Sequence, residues 1–456
     1  MKKLLFFLLV CASSAQAQLD GLWHSSFQVA GKSLLMDLDI KGIGRDGSVS
    51  VIIPDQPQIK PQEMEVYSLF IDSLFFRWDR IGLSFAGKLK NDSLKGIMKQ
   101  SGLEWNVVFT KTEQARVEVS GRPQDPVGPF SYEQKELEIK NKKVSIAGTL
   151  TLPKEREFPI IILVSGSGQQ DRDCELVGHK PFWILADYLS KNGIAVFRYD
   201  DRGIGKSTGE FASSTETDFT SDVLAVFSYL KKKYPGHPIG IYGHSEGGII
   251  GLRAAAQQKE IRFLIESASV GTNGKDVLVN QQYDIPIASG MSEEEAKWNS
   301  RLFEEAANIV LKTETASFLK DYKIWLATVW ENIPSSFKED KSMNDMASEM
   351  SVFINTNWAK EFLSYQAADY LKTVDLPMLI INGKKDLQVR WDESQTGFKK
   401  YMNVNTLRQS TFKAYDDLNH LLQPCIKCTI SEYATIETSM SPIVMSDILT
   451  WVKSFK

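Results

Sequence analysis

The sequence predicts a doubly wound, mostly parallel α/β sheet carrying an inserted helical cap, preceded by a small antiparallel β domain. Three observations point there. First, continuous apolar runs at 160–164, 194–199 and 239–242 alternate with helical patterns at 181–190 and 222–231, as strands buried on both faces by crossover helices must. Second, residues 275–370 interrupt that rhythm with helical periodicity alone. Third, residues 18–111 read as short strands with tight turns, alternate apolar and polar at 36–40 and 104–109, and lack the long helical patterns of parallel crossovers, which favours antiparallel strands.

Taken from the N-terminus, Lys2 and Lys3 precede an apolar run over 4–10, and Ala15-Gln16-Ala17 supplies the small residues that a signal peptidase reads. Residues 1–17 are therefore expected to be an export signal, placing the mature protein in the periplasm or outside the cell. Lipidation at Cys11 is the rival reading; bulky Val10 stands where such signals use small residues. No run of about 18 apolar residues occurs, so no membrane-spanning helix is expected.

In the β domain, Met36, Leu38 and Ile40 alternate with Asp37 and Asp39, and Trp105, Val107 and Phe109 alternate with Glu104 and Asn106. One face should be buried and the other wet. Asp46-Gly47, Asn91-Asp92 and Ser101-Gly102 are candidate turns. Residues 112–133, with Gly121, Pro123, Pro126, Gly128 and Pro129, read as a linker. The main domain then runs over 134–456. It opens with a hairpin at 136–153 and adds later strands at 262–266, 377–381 and around 411–414. Within the cap, Leu302, Phe303, Ala306, Ala307, Val310 and Leu311 share one helical face. Trp298, Trp325, Trp330 and Trp358 also fall in the cap, either as helix core or as lining of a pocket.

Lys and Arg total 53 against 57 Asp and Glu, a formal charge of -4. That balance argues against a nucleic-acid partner, which calls for a basic excess. Four Cys less Cys11 leave Cys174, Cys425 and Cys428, allowing one internal bridge with the third thiol buried or free. Cys425 and Cys428 have the spacing of half a zinc site, but no second pair lies near to complete four ligands. Gly205-Lys206-Ser207 resembles the end of a phosphate loop, yet Asp200 stands where its first glycine belongs. Asp200, Asp201 and Arg202 are expected to form ion pairs that pin loops.

The chemistry concentrates on Gly243-His244-Ser245-Glu246-Gly247, a G-x-S-x-G nucleophile elbow between a buried strand and a helix expected over 249–256. A serine hydroxyl attacks only when a base takes its proton. In this architecture the acid and then the histidine follow the serine. Of five His, only His420 follows Ser245. Asp386, just past the 377–381 strand, is the expected acid, with Asp392 in reserve. An oxyanion hole needs two aimed N–H groups. Glu246 supplies one, and Ser167 the other from the glycine-rich turn after 160–164, with Gly168 as its alternative.

Further segments carry a resemblance to the α/β-hydrolase superfamily, and within it to bacterial serine esterases with a Gly-Ser-Gly-x-Gln-Asp-Arg-Asp loop. These are Gly166-Ser167-Gly168-Gln169-Gln170-Asp171-Arg172-Asp173, Gly178-His179-Lys180-Pro181-Phe182, Arg198-Tyr199-Asp200-Asp201-Arg202-Gly203 and Asn382-Gly383-Lys384-Lys385-Asp386-Leu387-Gln388-Val389. The resemblance covers residue 134 to the end and departs at Gln169, where relatives often carry Pro. It implies a carboxylesterase acting on small acyl esters without metal or organic cofactor. The same triad would serve a peptidase or acyl-aminoacyl hydrolase, and the β domain could instead make the chain a binder of a glycan or protein partner. In this architecture the oxyanion loop and the histidine loop leave one sheet edge, so a bridge from Cys174 to Cys425 or Cys428 would tie them.

Overall fold

A computed structural model describes Leu19, Met64, the strands between Gly21 and Thr112, and residues 122–455 apart from 314, 339 and 340. The expected export signal with Cys11, the linker residues 113–121 and the three turns predicted in the β domain lie outside the described residues. The chain divides into two units, residues 1–121 with Leu176–Gly178, and the remainder.

The first unit is a nine-stranded sheet: β1 (Gly21–Val29), β2 (Lys32–Lys41), β3 (Ser48–Ile52), β4 (Gln62–Glu63), β5 (Glu65–Phe70), β6 (Ser73–Trp78), β7 (Leu83–Lys90), β8 (Ser93–Gln100) and β9 (Leu103–Thr112). Its order is β4-β3-β2-β1-β9-β8-β7-β6-β5, and every neighbouring pair is antiparallel. The period-2 pattern decides what is buried. Trp23, Leu38, Phe76, Phe85 and Phe109 are all sealed from solvent, and Phe85 meets Phe109 edge-on at 5.3 Å. The other face is not wet throughout: Asp37 is buried. It lies opposite His24 across the β1–β2 pair, and the imidazole covers it at 2.9 Å.

The second unit holds an eight-stranded sheet of β10 (Glu133–Asn141), β11 (Val144–Leu152), β12 (Ile160–Val164), β13 (Ala195–Tyr199), β14 (Ile239–His244), β15 (Leu264–Ser267), β16 (Met378–Gly383) and β17 (Thr411–Tyr415). The order is β10-β11-β13-β12-β14-β15-β16-β17. Only β10–β11 and β11–β13 are antiparallel; every other pair is parallel. Helices α1 (Pro181–Lys191), α2 (Glu216–Lys233) and α3 (Glu246–Gln257) join the early strands. The helix α2 starts six residues before its apolar periodicity, where the Asp218 carboxylate reaches back to the Thr215 N–H at 3.3 Å.

The cap comprises α4 (Gly274–Ala288), α5 (Glu293–Val310), α6 (Thr315–Val329), α7 (Ser335–Lys338), α8 (Met343–Ile354), α9 (Asn357–Ser364) and α10 (Ala367–Leu371). Along α5 the predicted face is buried from Leu302 to Val310, while Leu311 is exposed because the helix ends before it. After β16 come α11 (Trp391–Tyr401) and α12 (Val404–Gln409), and α13 (Pro442–Val452) closes the chain. Among the described residues no helix is long and apolar enough to cross a membrane.

Two expectations change. The described part of the predicted linker is pinned to the second unit: Arg122 donates to the Ile436 and Ala434 carbonyls at 2.6 and 3.1 Å. The bridge joins Cys425 to Cys428, not Cys174 to either. Cys174 is a free thiol buried in an apolar cluster with Phe182 and Leu185.

The charged loop residues resolve into pairs. Arg172 grips Asp200 through Nε and Nη2 at 3.0 and 2.8 Å. Arg202 grips Asp222 at 2.7 and 2.9 Å and also reaches Asp218. Asp201 takes the Ser165 hydroxyl and the Gln170 N–H instead of a cation. Asp222→Ala leaves Arg202 with Asp218 alone, so it is expected to cost about 1.5–3 kcal/mol. Urea denaturation checks this; an unchanged midpoint would show that Arg202 needs no buried partner.

Candidate active site

Strand β14 delivers Ser245 to a turn with φ 56° and ψ −121°, a conformation that side chains avoid. The turn is held from both sides. The Ser245 N–H donates to the Ser267 carbonyl at 2.8 Å, and its own carbonyl accepts from Gly248 N–H at 3.0 Å. Both motif glycines are needed sterically. A Cβ at Gly243 would stand 2.3 Å from the Gly247 carbonyl oxygen, and one at Gly247 would stand 2.2 Å from that of Val164. Helix α3 therefore starts at Glu246, directly after the serine and three residues before the sequence pattern suggests.

His420 and Asp386 meet on neighbouring loops. At the end of β16, Gly383 packs so closely on the Leu418 carbonyl that a Cβ would stand 2.1 Å from it. The histidine loop folds around Asn419, whose side-chain oxygen accepts from Leu421 N–H and Gln423 N–H, each at 3.0 Å. His420 Nδ1 lies 2.8 Å from Asp386 Oδ2. The other carboxylate oxygen accepts from Gln388 N–H at 2.8 Å and Val389 N–H at 3.0 Å. Both side chains are buried. An Nδ1–H donated to Asp386 leaves Nε2 as the basic nitrogen. Asp392 sits in the first turn of α11; the carboxylate on His420 is that of Asp386.

The elbow touches the histidine loop through a residue that sequence reading passed over. His244 Nε2–H donates to the His420 carbonyl at 3.0 Å, and the two rings lie 4.9 Å apart. Its position in the pentapeptide is a variable one, so no local pattern marks it. Burial, aided by the neighbouring His420, pushes its pKa down to about 4. On the opposite side Gly166 packs on the serine: a Cβ there would stand 3.1 Å from Ser245 Cβ. Residues 166, 245, 386 and 420 thus follow β12, β14, β16 and β17, with His244 ending β14, at the carboxyl edge where ligands of open α/β sheets bind.

A cleft opens beside Gly166 and Gly168, walled by Tyr199, Phe211, Ile250 and Trp358. Gly168 has φ 96°, and Ser167 beside it is exposed. The Glu246 carboxyl lines the same cleft and accepts from Trp358 Nε1–H at 2.8 Å. Burial raises its pKa, against the lowering effect of the Ser167 side chain that hydrogen-bonds to it. Burial likewise raises Asp201. All four cap tryptophans pack on the apolar core, and Trp358 also lines the cleft. Among the described residues no three His, Cys, Asp or Glu are grouped to hold a metal ion.

This sheet order, cap and strained serine turn define an α/β-hydrolase. The chain belongs to the family described as serine aminopeptidase S33, whose profile it matches over residues 182–423. It is 25% identical over 302 residues to esterase EstD of Thermotoga maritima, an alignment covering 65% of this chain and 62% of EstD. The chain thus spans less than two thirds of that relative. It is also 39% identical to human monoglyceride lipase over 75 residues, 16% of this chain and 25% of the lipase. Among solved structures it is similar to the Pyrococcus furiosus esterase Pf2001, with 17% identity and a TM-score of 0.44 over 75% of this chain and 99% of that one.

The buried neutral His244 has a consequence for stability. Its pKa falls from 6.5 in the open chain to about 4 in the fold, so below pH 6.5 the unfolded chain takes up a proton that the native state refuses. Stability should fall by about 3 kcal/mol from this group between pH 6.5 and 4. His244→Gln should flatten that part of the profile in urea titrations. An equally steep fall in the variant would place the acid sensitivity elsewhere.

Proposed function

We propose that the protein is an exported serine carboxylesterase that hydrolyses small acyl esters through Ser245, His420 and Asp386. The observation that carries this reading is the buried His420–Asp386 hydrogen bond on a loop in contact with the strained serine turn. EstD and monoglyceride lipase, by their names, act on esters, which supports an acyl ester as substrate.

In this mechanism His420 Nε2 takes the Ser245 hydroxyl proton as the oxygen attacks the ester carbonyl carbon. The Glu246 and Ser167 N–H groups hold the oxyanion that forms. Asp386 keeps the imidazole in the required tautomer and stabilises the imidazolium without taking its proton. The tetrahedral intermediate collapses, the acyl–oxygen bond breaks, and the alcohol leaves with the proton from His420. Water then repeats the sequence on the acyl-enzyme, releasing the acid and restoring Ser245.

Ser245→Ala is expected to lower kcat on a short-chain p-nitrophenyl ester by about 10⁶, and Asp386→Asn by about 10⁴ with the fold intact. Steady-state kinetics checks both. Ester turnover preserved in Ser245→Ala would remove the serine mechanism. Aminoacyl anilides split faster than esters would move the activity to the peptidase side.

A further inference from the structure

Glu246 contributes more to this site than a backbone N–H. Glu246 is 3% exposed in a cleft that it shares with Tyr199, Phe219, Ile250, Ser165 and Asp201. A buried carboxyl is costly unless it is hydrogen-bonded. It is bonded on both sides. The Ser167 side chain engages it from the oxyanion loop, and the Trp358 indole N–H engages it from α9 of the cap at 2.8 Å. Arg253, the nearby cation, acts on it from a distance, its guanidinium being paired with Glu361. Trp358 is itself wedged between Phe353 and Phe362, with ring centroids 5.8 and 5.4 Å away, so the cap end of the link is firmly seated.

We propose that Glu246 is a positioning residue: by joining Ser167 to Trp358, its side chain sets the spacing of the two oxyanion N–H groups and makes that spacing depend on how the cap is seated. The inference rests on the serine-esterase reading above. One residue thereby carries an oxyanion donor on its backbone and the link to the other donor on its side chain. An acyl group entering the cleft would press on Trp358, and the Trp358–Glu246 hydrogen bond would pass that displacement to the oxyanion hole. The acid is needed for its acceptor and its size, not its charge, and burial, which raises its pKa, favours the neutral form.

The test is steady-state kinetics on a short acyl ester with the full chain. Glu246→Gln should stay within about threefold of wild type, because the amide oxygen accepts from Trp358 while the amide NH2 can donate to the Ser167 hydroxyl. Glu246→Ala should lower kcat by about 100-fold with KM unchanged, the scale of an ångström-sized misplacement at a reacting centre. Trp358→Phe should lower kcat by about tenfold, and the Glu246→Ala/Trp358→Phe pair should be no worse than Glu246→Ala alone. Trp358→Phe decides the matter if Glu246→Ala fails to fold. Wild-type kcat in Glu246→Ala or Trp358→Phe, a loss confined to KM, or additive losses in the pair would overturn the proposal. Ser245→Ala, run beside them, separates the two ideas: if it abolishes turnover while Glu246→Ala does not, only the positioning role falls.

Discussion

Ser245 is held at a backbone angle that a side chain adopts only under constraint, and the rest of the second unit is arranged to enforce it. Such a residue costs about 1–3 kcal/mol and persists only where its surroundings over-determine it. Here they do so through backbone contacts on two sides. Gly247 lies against the Val164 carbonyl, and Gly243 against Gly247, so β12, β14 and the start of α3 leave no room to relax. The turn that results puts one hydroxyl at the carboxyl edge of the sheet, beside Gly166 and the histidine loop.

The remaining loops at that edge are fixed by charge and hydrogen bonding more than by apolar packing. Asp386 satisfies both oxygens, one with an imidazole and one with two backbone N–H groups. Asn419 rigidifies the loop beside it. Arg172 with Asp200 and Arg202 with Asp222 hold the loops after β12 and β13. These groups lie on irregular backbone, where side-chain hydrogen bonds must satisfy what strands and helices satisfy elsewhere.

Much of this was legible in the residues. Strands such as Ile160–Val164 are apolar without interruption because both faces are covered, and that pattern needs no tertiary knowledge. The proposed acid and base could be picked out because motif order restricts the choice: His420 is the sole histidine after Ser245. Less legible were features set by distant partners. Asp37 is buried through His24 on the next strand, although alternation alone would leave it wet. Helix α2 extends to Glu216 through a cap rather than an apolar stripe, and α11, α12 and α13 were not marked as helices. The partner of the Glu246 carboxyl comes from a cap helix 112 residues away, and the bridge of Cys425, though local, depends on a sharp turn to Cys428. Neither leaves a periodic trace.

The central claim is that Ser245 is the activated nucleophile. The most direct measurement is to treat the full chain with a fluorophosphonate at neutral pH and map the adduct by peptide mass spectrometry. A single adduct on Ser245, absent when His420 is replaced by Ala, is the predicted result. No adduct, or one on another residue with Ser245 unmodified, would contradict it.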